Sequence, residues 1–174
     1  TATRVAKSLL LMEAARRKWK VFTADVATAF LQAADKDRGI HVQLPADALV
    51  LLGADAKTRM RLHKPMYGLP DAPRGWFEEA VRRSKEIGVV QHPLDPCLFL
   101  SFRDNGELDG GFTLHVDDLL GAGDETDHGP NSFAQRKKEL KKIFKFRSWI
   151  EDSSLSYCGT DIVQNDGEIR VSMK

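Results

Sequence analysis

The chain has 174 residues, a formal net charge of +1 at pH 7, and 42% hydrophobic and 29% charged residues. These values fit one globular domain and exclude collagen, low-complexity sequence and wholesale disorder. No apolar run approaches the roughly 20 residues of a membrane span, and no signal-peptide pattern is present. Cys97 and Cys158 lack CxxC spacing, which argues against a zinc site or a disulfide framework and fits a reducing compartment.

Periodicity and turn residues predict the elements of the first half of the chain. In order, they are a helix over 3–18, a buried strand over 20–25, a helical turn over 28–32, a strand over 39–44, a short helix over 46–52 and a strand over 59–63. Residues 64–74 contain three prolines and one glycine, which indicates a loop of defined shape. Asp71 is then expected to cap a helix over 72–87 that ends at Gly88.

The second half is predicted to be mainly β-structure around one basic helix. The expected elements are strands over 97–102, 111–116 and 116–122, a helix over 129–145, and strands over 155–163 and 168–172. Residues 136–147 hold seven basic residues and one acidic residue, a pattern typical of a solvated helix face or of a phosphate-facing surface. We therefore expect an α+β fold, an antiparallel sheet packed against helices, in a single domain over 1–174.

Two adjacent carboxylates interrupt the apolar stretch GGFTLHVDDLLGAG at 110–123. Asp117 and Asp118 are expected at or beside a hairpin turn, where Asp is also simply a common turn residue. Two carboxylates in a partly dry site repel, so that one must protonate or a cation must lie between them. Oxygen ligands select a hard cation such as Mg²⁺ or Mn²⁺.

Asp25 is the best candidate for a third carboxylate ligand, because it ends an apolar strand just before a helical turn. Its alternative role is that of a helix N-cap. Three carboxylates at strand ends fit a two-metal arrangement that serves phosphoryl or nucleotidyl transfer. His115 could transfer protons, although a strand histidine beside a turn is more often structural.

Five blocks carry a family resemblance. They are VFTADVATAFL (21–31), KPMYGLPDAPRGW (64–76), DPCLF (95–99), HVDDLLGAG (115–123) and YCGTDIVQNDGEIRVS (157–172). In this order they resemble the reverse transcriptase (RNA-directed DNA polymerase) domain of copia-type LTR retrotransposons. That family usually has Tyr-Val-Asp-Asp, and here His115 takes the place of the tyrosine beside the primer end.

The resemblance implies a right-hand polymerase palm that is a fragment of a larger polyprotein, with only partial fingers and no thumb. It implies that Asp25 and Asp117 hold two Mg²⁺ (or Mn²⁺) ions with the Val26 carbonyl, and that Asp118 completes the catalytic site. The hairpin around Asn165-Asp166-Gly167 resembles a segment that approaches the primer.

The resemblance also implies a nucleotide-binding set. Phe30 matches the aromatic gate that rejects a ribose 2′-hydroxyl, although a core aromatic is its alternative role. Tyr67 and Gly68 match the loop that packs against the nucleotide and template, and Arg74 is a weaker candidate for a phosphate contact. His115 and Arg74 are thus the candidates for primer or template contact.

The expected partners are an RNA or DNA template with its primer, a dNTP, and the fingers, thumb, ribonuclease H and integrase of the parent polyprotein, with no membrane. The expected location is intracellular and cytoplasmic, virus-like particles included. One alternative is an inactive palm remnant that binds nucleic acid or a partner without turnover. A nucleotidyl cyclase or another two-metal phosphotransferase shares the carboxylates but does not explain the YGLPDAPR loop.

Overall fold

The computed structural model describes residues 1–35 and 39–173. Its helices are α1 (Arg4–Arg17), α2 (Ala46–Leu51), α3 (Ala72–Glu86) and α4 (Phe133–Ile143), with a 3-10 helix at Ala29–Gln32. Its strands are β1 (Lys20–Val26), β2 (His41–Gln43), β3 (Arg59–Arg61), β4 (Val90–Gln91), β5 (Leu98–Phe102), β6 (Leu108–His115), β7 (Asp118–Gly123), β8 (Phe146–Ile150), β9 (Ser154–Tyr157), β10 (Thr160–Asn165) and β11 (Glu168–Met173).

These strands form antiparallel sheets in a mixed α/β fold, as predicted in outline. The largest sheet has the order β4-β5-β6-β7-β1-β8, and β11-β10-β9 form a second sheet. Strands β2 and β3 form a separate pair. The described residues divide into two compact units, residues 1–29 with 80–173 and residues 30–79.

Helix α1 covers one face of the largest sheet because its local sequence both starts it and gives it an apolar side. The Thr3 hydroxyl caps the helix by accepting from the Ala6 N–H, and Lys18 ends it in the left-handed conformation. Its buried side chains join a core cluster with strand residues and with the second sheet; the members include Leu10, Leu11, Ala14, Val21, Leu120, Leu155 and Ile162. This packing holds β1, β7 and the second sheet together.

On the opposite face, glycines make room for aromatic rings. Phe22 and Gly121 are direct cross-strand partners, and a Cβ on Gly121 would lie 2.2 Å from the Phe22 ring. A Cβ on Gly123 would lie 2.1 Å from the ring of Phe133. The glycines that flank the two aspartates are therefore required by close packing rather than by the hairpin turn.

Most predicted elements are confirmed, with two corrections near the C-terminus. The predicted strand over 155–163 is wrong, because Cys158 and Gly159 both have positive φ and separate β9 from β10. The helix predicted over 129–145 begins only after Ser132, whose side chain caps the Gln135 N–H. It ends at Ile143, and residues 146–150 form β8, a strand that was not predicted.

Among the described residues, no helix is both long and apolar enough to cross a membrane. The two cysteines are free thiols, Cys97 buried and Cys158 exposed.

Candidate active site

Two of the predicted catalytic carboxylates lie side by side on neighbouring strands. Strands β1 and β7 pair antiparallel, and Asp25 is the direct cross-strand partner of Asp118. Opposite residues of an antiparallel pair share one face of the sheet, and like charges there destabilise the pairing. Asp25 lies within β1 and therefore does not cap a helix, which removes its alternative role.

The third carboxylate comes from the turn between β6 and β7. Val116 and Asp117 form this two-residue turn, and Val116 has φ +56°, an unusual conformation for a β-branched residue. The Val26 N–H donates to the Asp117 carbonyl oxygen at 2.8 Å, which fixes the turn against the end of β1. The hairpin thus brings the backbones of all three aspartates together.

The electrostatics of this group are unfavourable in the absence of a cation. Burial and the charges of Asp117 and Asp25 raise the pKa of Asp118 above its usual value. Oδ1 of Asp25 is buried and has no hydrogen-bond partner among the described residues, while its Oδ2 lies 3.6 Å from Nη1 of Arg147. A buried carboxylate oxygen without a donor is costly, and a bound cation would satisfy it.

The donor set fits a hard divalent cation, because it consists of carboxylate oxygens with a nearby backbone carbonyl. The side chains are not gathered around one point, however. In the described part of the chain, no three His, Cys, Asp or Glu side chains are arranged to hold a metal ion. Binding would therefore require Asp25, Asp117 and Asp118 to reorient.

His115 occupies the last position of β6 and is the cross-strand partner of Asp118. Its side chain is half-buried, and its Nδ1 is buried without a hydrogen-bond partner in the described residues. The ring therefore lies at the edge of the carboxylate group with one nitrogen unused.

Two residues that the sequence did not indicate lie beside the carboxylates. Sγ of Cys158 lies 3.9 Å from Oδ2 of Asp118, and Arg147 approaches Asp25 from β8. The sequence does contain a signal for β8. In FKFRSWI (144–150), Phe144 and Phe146 alternate with polar residues, but the next aromatic residue, Trp149, comes one position later than this alternation would place it. Such a shift is typical of a strand with an inserted residue.

The second unit holds the predicted nucleotide-binding residues. The rings of Phe30 and Tyr67 are in contact, with centroids 4.6 Å apart and planes inclined by 50°. Phe30 is 8% exposed and Tyr67 is 53% exposed, so that the pair presents mainly the tyrosine to solvent. The burial of Phe30 is also what a core aromatic would show.

Gly68 and Arg74 belong to the same unit. The backbone conformation at Gly68 favours glycine, whereas the Arg74 side chain pairs with a neighbouring carboxylate. Gly68 has φ +92°, a conformation that favours glycine, and a Cβ there would meet no atom within 4 Å. Nε of Arg74 is 2.8 Å from Oε1 of Glu78, one turn along α3. This exposed arginine is therefore already engaged by a carboxylate.

The basic run over 136–147 is partly internal. The Arg136 guanidinium donates to Oγ of Ser101 at 2.6 Å and to the Phe102 carbonyl at 2.7 Å. Lys137 is buried and pairs with Glu125 and Glu151. For these two side chains, neither a solvated face nor a phosphate-facing surface describes their environment.

Comparison with known proteins supports the sequence resemblance. The family model "Reverse transcriptase (RNA-dependent DNA polymerase)" matches residues 4–174. The Pol polyprotein of transposon RE2 from Arabidopsis thaliana is 30% identical over 118 residues, which cover 68% of this chain and 8% of that protein. A Ty5-1 transposon protein of Saccharomyces cerevisiae is 28% identical over 151 residues, 86% of this chain and 46% of its own length.

The chain thus spans less than half the length of these relatives. Among solved structures, apo telomerase from Candida tropicalis, truncated from its C-terminal domain, superposes with a TM-score of 0.52 at 8% sequence identity. The match covers 99% of this chain and 40% of the telomerase, and it shows a shared fold. The sequence match carries the assignment further: the chain belongs to the reverse transcriptase family, in the form found in the Pol polyproteins of copia-type retrotransposons.

Proposed function

We propose that the protein is an RNA-directed DNA polymerase domain that transfers nucleotides from a dNTP to a primer 3′-hydroxyl by two-metal chemistry. One observation carries the proposal: in a chain of the reverse transcriptase family, Asp25 and Asp118 are direct cross-strand partners, with Asp117 in the adjoining turn. The primer hydroxyl would attack the α-phosphate of the dNTP, and pyrophosphate would leave.

The six-stranded antiparallel sheet would be the palm of a right-hand polymerase. Its fold is shared with a telomerase over nearly the whole chain, which supports this interpretation. In the parent polyprotein, fingers, a thumb, ribonuclease H and integrase are the expected neighbours, in the cytoplasm or in virus-like particles. A template with its primer would lie across the palm.

Asp25, Asp117, Asp118 and the Val26 carbonyl would hold the two Mg²⁺ or Mn²⁺ ions. When bound, the ions would activate the primer hydroxyl and stabilise the charge on the leaving phosphate. The hairpin turn contributes rigidity, because the Val26 N–H holds the Asp117 carbonyl. Such a transfer depends on positioning and charge stabilisation, so that it needs no Ser, Cys or His nucleophile.

The nucleotide would be selected by the aromatic pair of the second unit. Phe30 would exclude a ribose 2′-hydroxyl by leaving no room for the added oxygen, and Tyr67 packs against it at 4.6 Å between centroids. The left-handed backbone of Gly68 would let the loop approach the base pair closely. His115 would contact the primer end, and Arg74 would reach a phosphate only after leaving Glu78.

A second candidate is a palm that binds nucleic acid without turnover. It is favoured by the finding that, within the described residues, the acidic side chains are not preassembled for a metal ion. It differs from the first proposal in one measurable respect, because binding would persist after loss of the carboxylates whereas synthesis would not.

The test is primer extension on a poly-ribonucleotide template with Mg²⁺, using the protein with its natural flanking sequence. Replacing Asp117→Asn should reduce extension by about a thousandfold, or ~4 kcal/mol in activation free energy, because a metal ligand is lost. Asp104→Asn is the matched control, since Asp104 is an exposed turn residue that accepts a hydrogen bond from the Asn131 side chain, and it belongs to no proposed site. The control should extend the primer at the wild-type rate.

The outcomes separate the two candidates. Extension by the wild type that survives Asp117→Asn would show that the carboxylates are misassigned. Template binding by wild type and Asp117→Asn alike, without extension by either, would support the binding-only palm.

A further inference from the structure

A β-bulge in β8 directs an arginine toward the carboxylates. Strand β8 pairs with β1 so that Asp25 lies opposite Ser148, but Val26 lies opposite Phe146. Arg147 is therefore the inserted residue of a register shift. In a regular strand Arg147 and Ser148 would point to opposite faces, whereas a bulge re-aims the side chain of the inserted residue.

The re-aimed side chain reaches one carboxylate of the candidate active site. Nη1 of Arg147 lies 3.6 Å from Oδ2 of Asp25, and the Arg147 side chain is 63% exposed. Among the described residues, Asp25 is the member of the three with a basic side chain within 4.0 Å. Arg147 thus supplies the positive charge nearest to a group of three carboxylates.

We propose that Arg147 is an internal counter-ion that competes with a divalent cation for Asp25. The inference rests on the proposed function, because it requires that Asp25 bind a metal. In the metal-free protein the guanidinium offsets part of the repulsion among the carboxylates. A divalent cation needs the same carboxylate and repels the guanidinium, so the arginine leaves when the ion binds.

The geometry indicates that replacing the Arg147–Asp25 ion pair by a bound cation costs little free energy. An ion pair with one partner well exposed to solvent contributes little, and its long side chain can turn outward without breaking other described hydrogen bonds. Arg147 therefore sets a threshold: the cation occupies Asp25 only at a concentration that displaces the arginine. By placing Arg147 beside Asp25, the bulge raises that concentration above the value that the carboxylates alone would set.

The experiment measures Mn²⁺ affinity of the full chain directly, by electron paramagnetic resonance of the free ion, with no substrate present. Arg147→Gln should bind Mn²⁺ about two- to fivefold more tightly than the wild type, the range expected for loss of an exposed ion pair. Arg147→Lys, which keeps the charge, should stay close to the wild type. Arg170→Gln is the matched control, because it removes one exposed positive charge, paired with Glu168, elsewhere on the surface.

A second measurement tests whether the effect of Arg147 on Mn²⁺ affinity depends on Asp25. In an Asp25→Asn background, Arg147→Gln should no longer change the affinity for Mn²⁺, since the competition has been removed. Equal shifts for Arg147→Gln and Arg170→Gln, or no shift for either, would overturn the competition while leaving the metal site in place. Absence of Mn²⁺ binding by every form, wild type included, would overturn the proposed metal-dependent function and the inference with it.

Discussion

Two charged clusters lie in the same compact unit and have opposite character. The carboxylate cluster (Asp25, Asp117 and Asp118) concentrates negative charge, with Arg147 as a partly exposed counter-ion. The Lys137 cluster (Glu125, Lys137, Lys141 and Glu151) alternates charges in close pairs. Lys137 lies 2.9 Å from Glu151, and Lys141 lies 3.0 Å from it.

The pKa values of the two clusters move in opposite directions. Burial and neighbouring carboxylates raise the pKa of Asp118. Burial acts in the same sense on Glu151, but hydrogen bonds from Lys137, Lys141 and Trp149 outweigh it and lower its pKa to about 2. Satisfied charges support the fold, whereas unsatisfied ones reduce stability and mark a candidate site for an external cation.

The strongest test of this contrast is Lys137→Ala in the Lys137 cluster. The Lys137 side chain is 8% exposed and also lies over the Phe22 ring, with Nζ 5.0 Å from the centroid. Its removal leaves Glu125 and Glu151 without their main partner. We expect the free energy of unfolding to fall by about 3 kcal/mol, as for one broken buried ion pair, in urea denaturation.

Two further variants separate charge from packing at this position. Lys137→Met keeps the apolar stem and should recover part of the loss if packing over Phe22 matters. Lys142→Ala is the surface control, because Lys142 is 69% exposed and its ion-pair partner within the described part of the chain is Glu139, so the free energy of unfolding should change by no more than about 0.5 kcal/mol. A Lys137→Ala loss no larger than that of Lys142→Ala would show that the cluster is not a structural support.

The sequence singled out the three aspartates of the carboxylate cluster, whose role in catalysis stays a prediction, but it did not single out Lys137. Asp25, Asp117 and Asp118 stand out because charges interrupt apolar strands, a local pattern that needs no knowledge of distant contacts. Lys137, by contrast, lies in a run of basic residues, a pattern typical of a solvated helix face, and its pairing depends on Glu125 and Glu151 from outside the helix.

The same distinction explains the errors in the fold. Strand β1 and helix α1 follow from periodicity within a dozen residues, and both were predicted. Strand β8 was hidden because its register shift breaks the alternation on which strand prediction depends. The β9–β10 turn was missed because Cys158 has φ +47°, a conformation that its residue type does not suggest.

The second test is the acid stability of the Lys137 cluster. The folded pKa of Glu151 is about 2, below the usual 4.5, so its contribution to stability is present above pH 4.5 and is lost as the pH falls toward 2. A quarter of the side chain is exposed, and after allowance for solvent screening we expect a contribution of about 1 to 2 kcal/mol. Unfolding free energies measured from pH 6 to pH 2.5 should therefore decline less for Glu151→Gln than for the wild type; parallel curves would contradict this.

The smallest expected effect is a gain in the free energy of unfolding rather than a loss, and it comes from the carboxylate cluster. Because the pKa of Asp118 is raised, its contribution to stability is present below the unfolded pKa and is lost as the pH rises through the folded value. At neutral pH the ionised carboxylate is thus unfavourable in the metal-free protein, and Asp118→Asn should raise the free energy of unfolding. Screening at this half-buried position limits the gain to about 0.5 kcal/mol. Urea denaturation in EDTA measures it, with the exposed Asp166→Asn as control; a loss of stability in Asp118→Asn, or an equal gain in the control, would show that the carboxylate cluster carries no electrostatic cost.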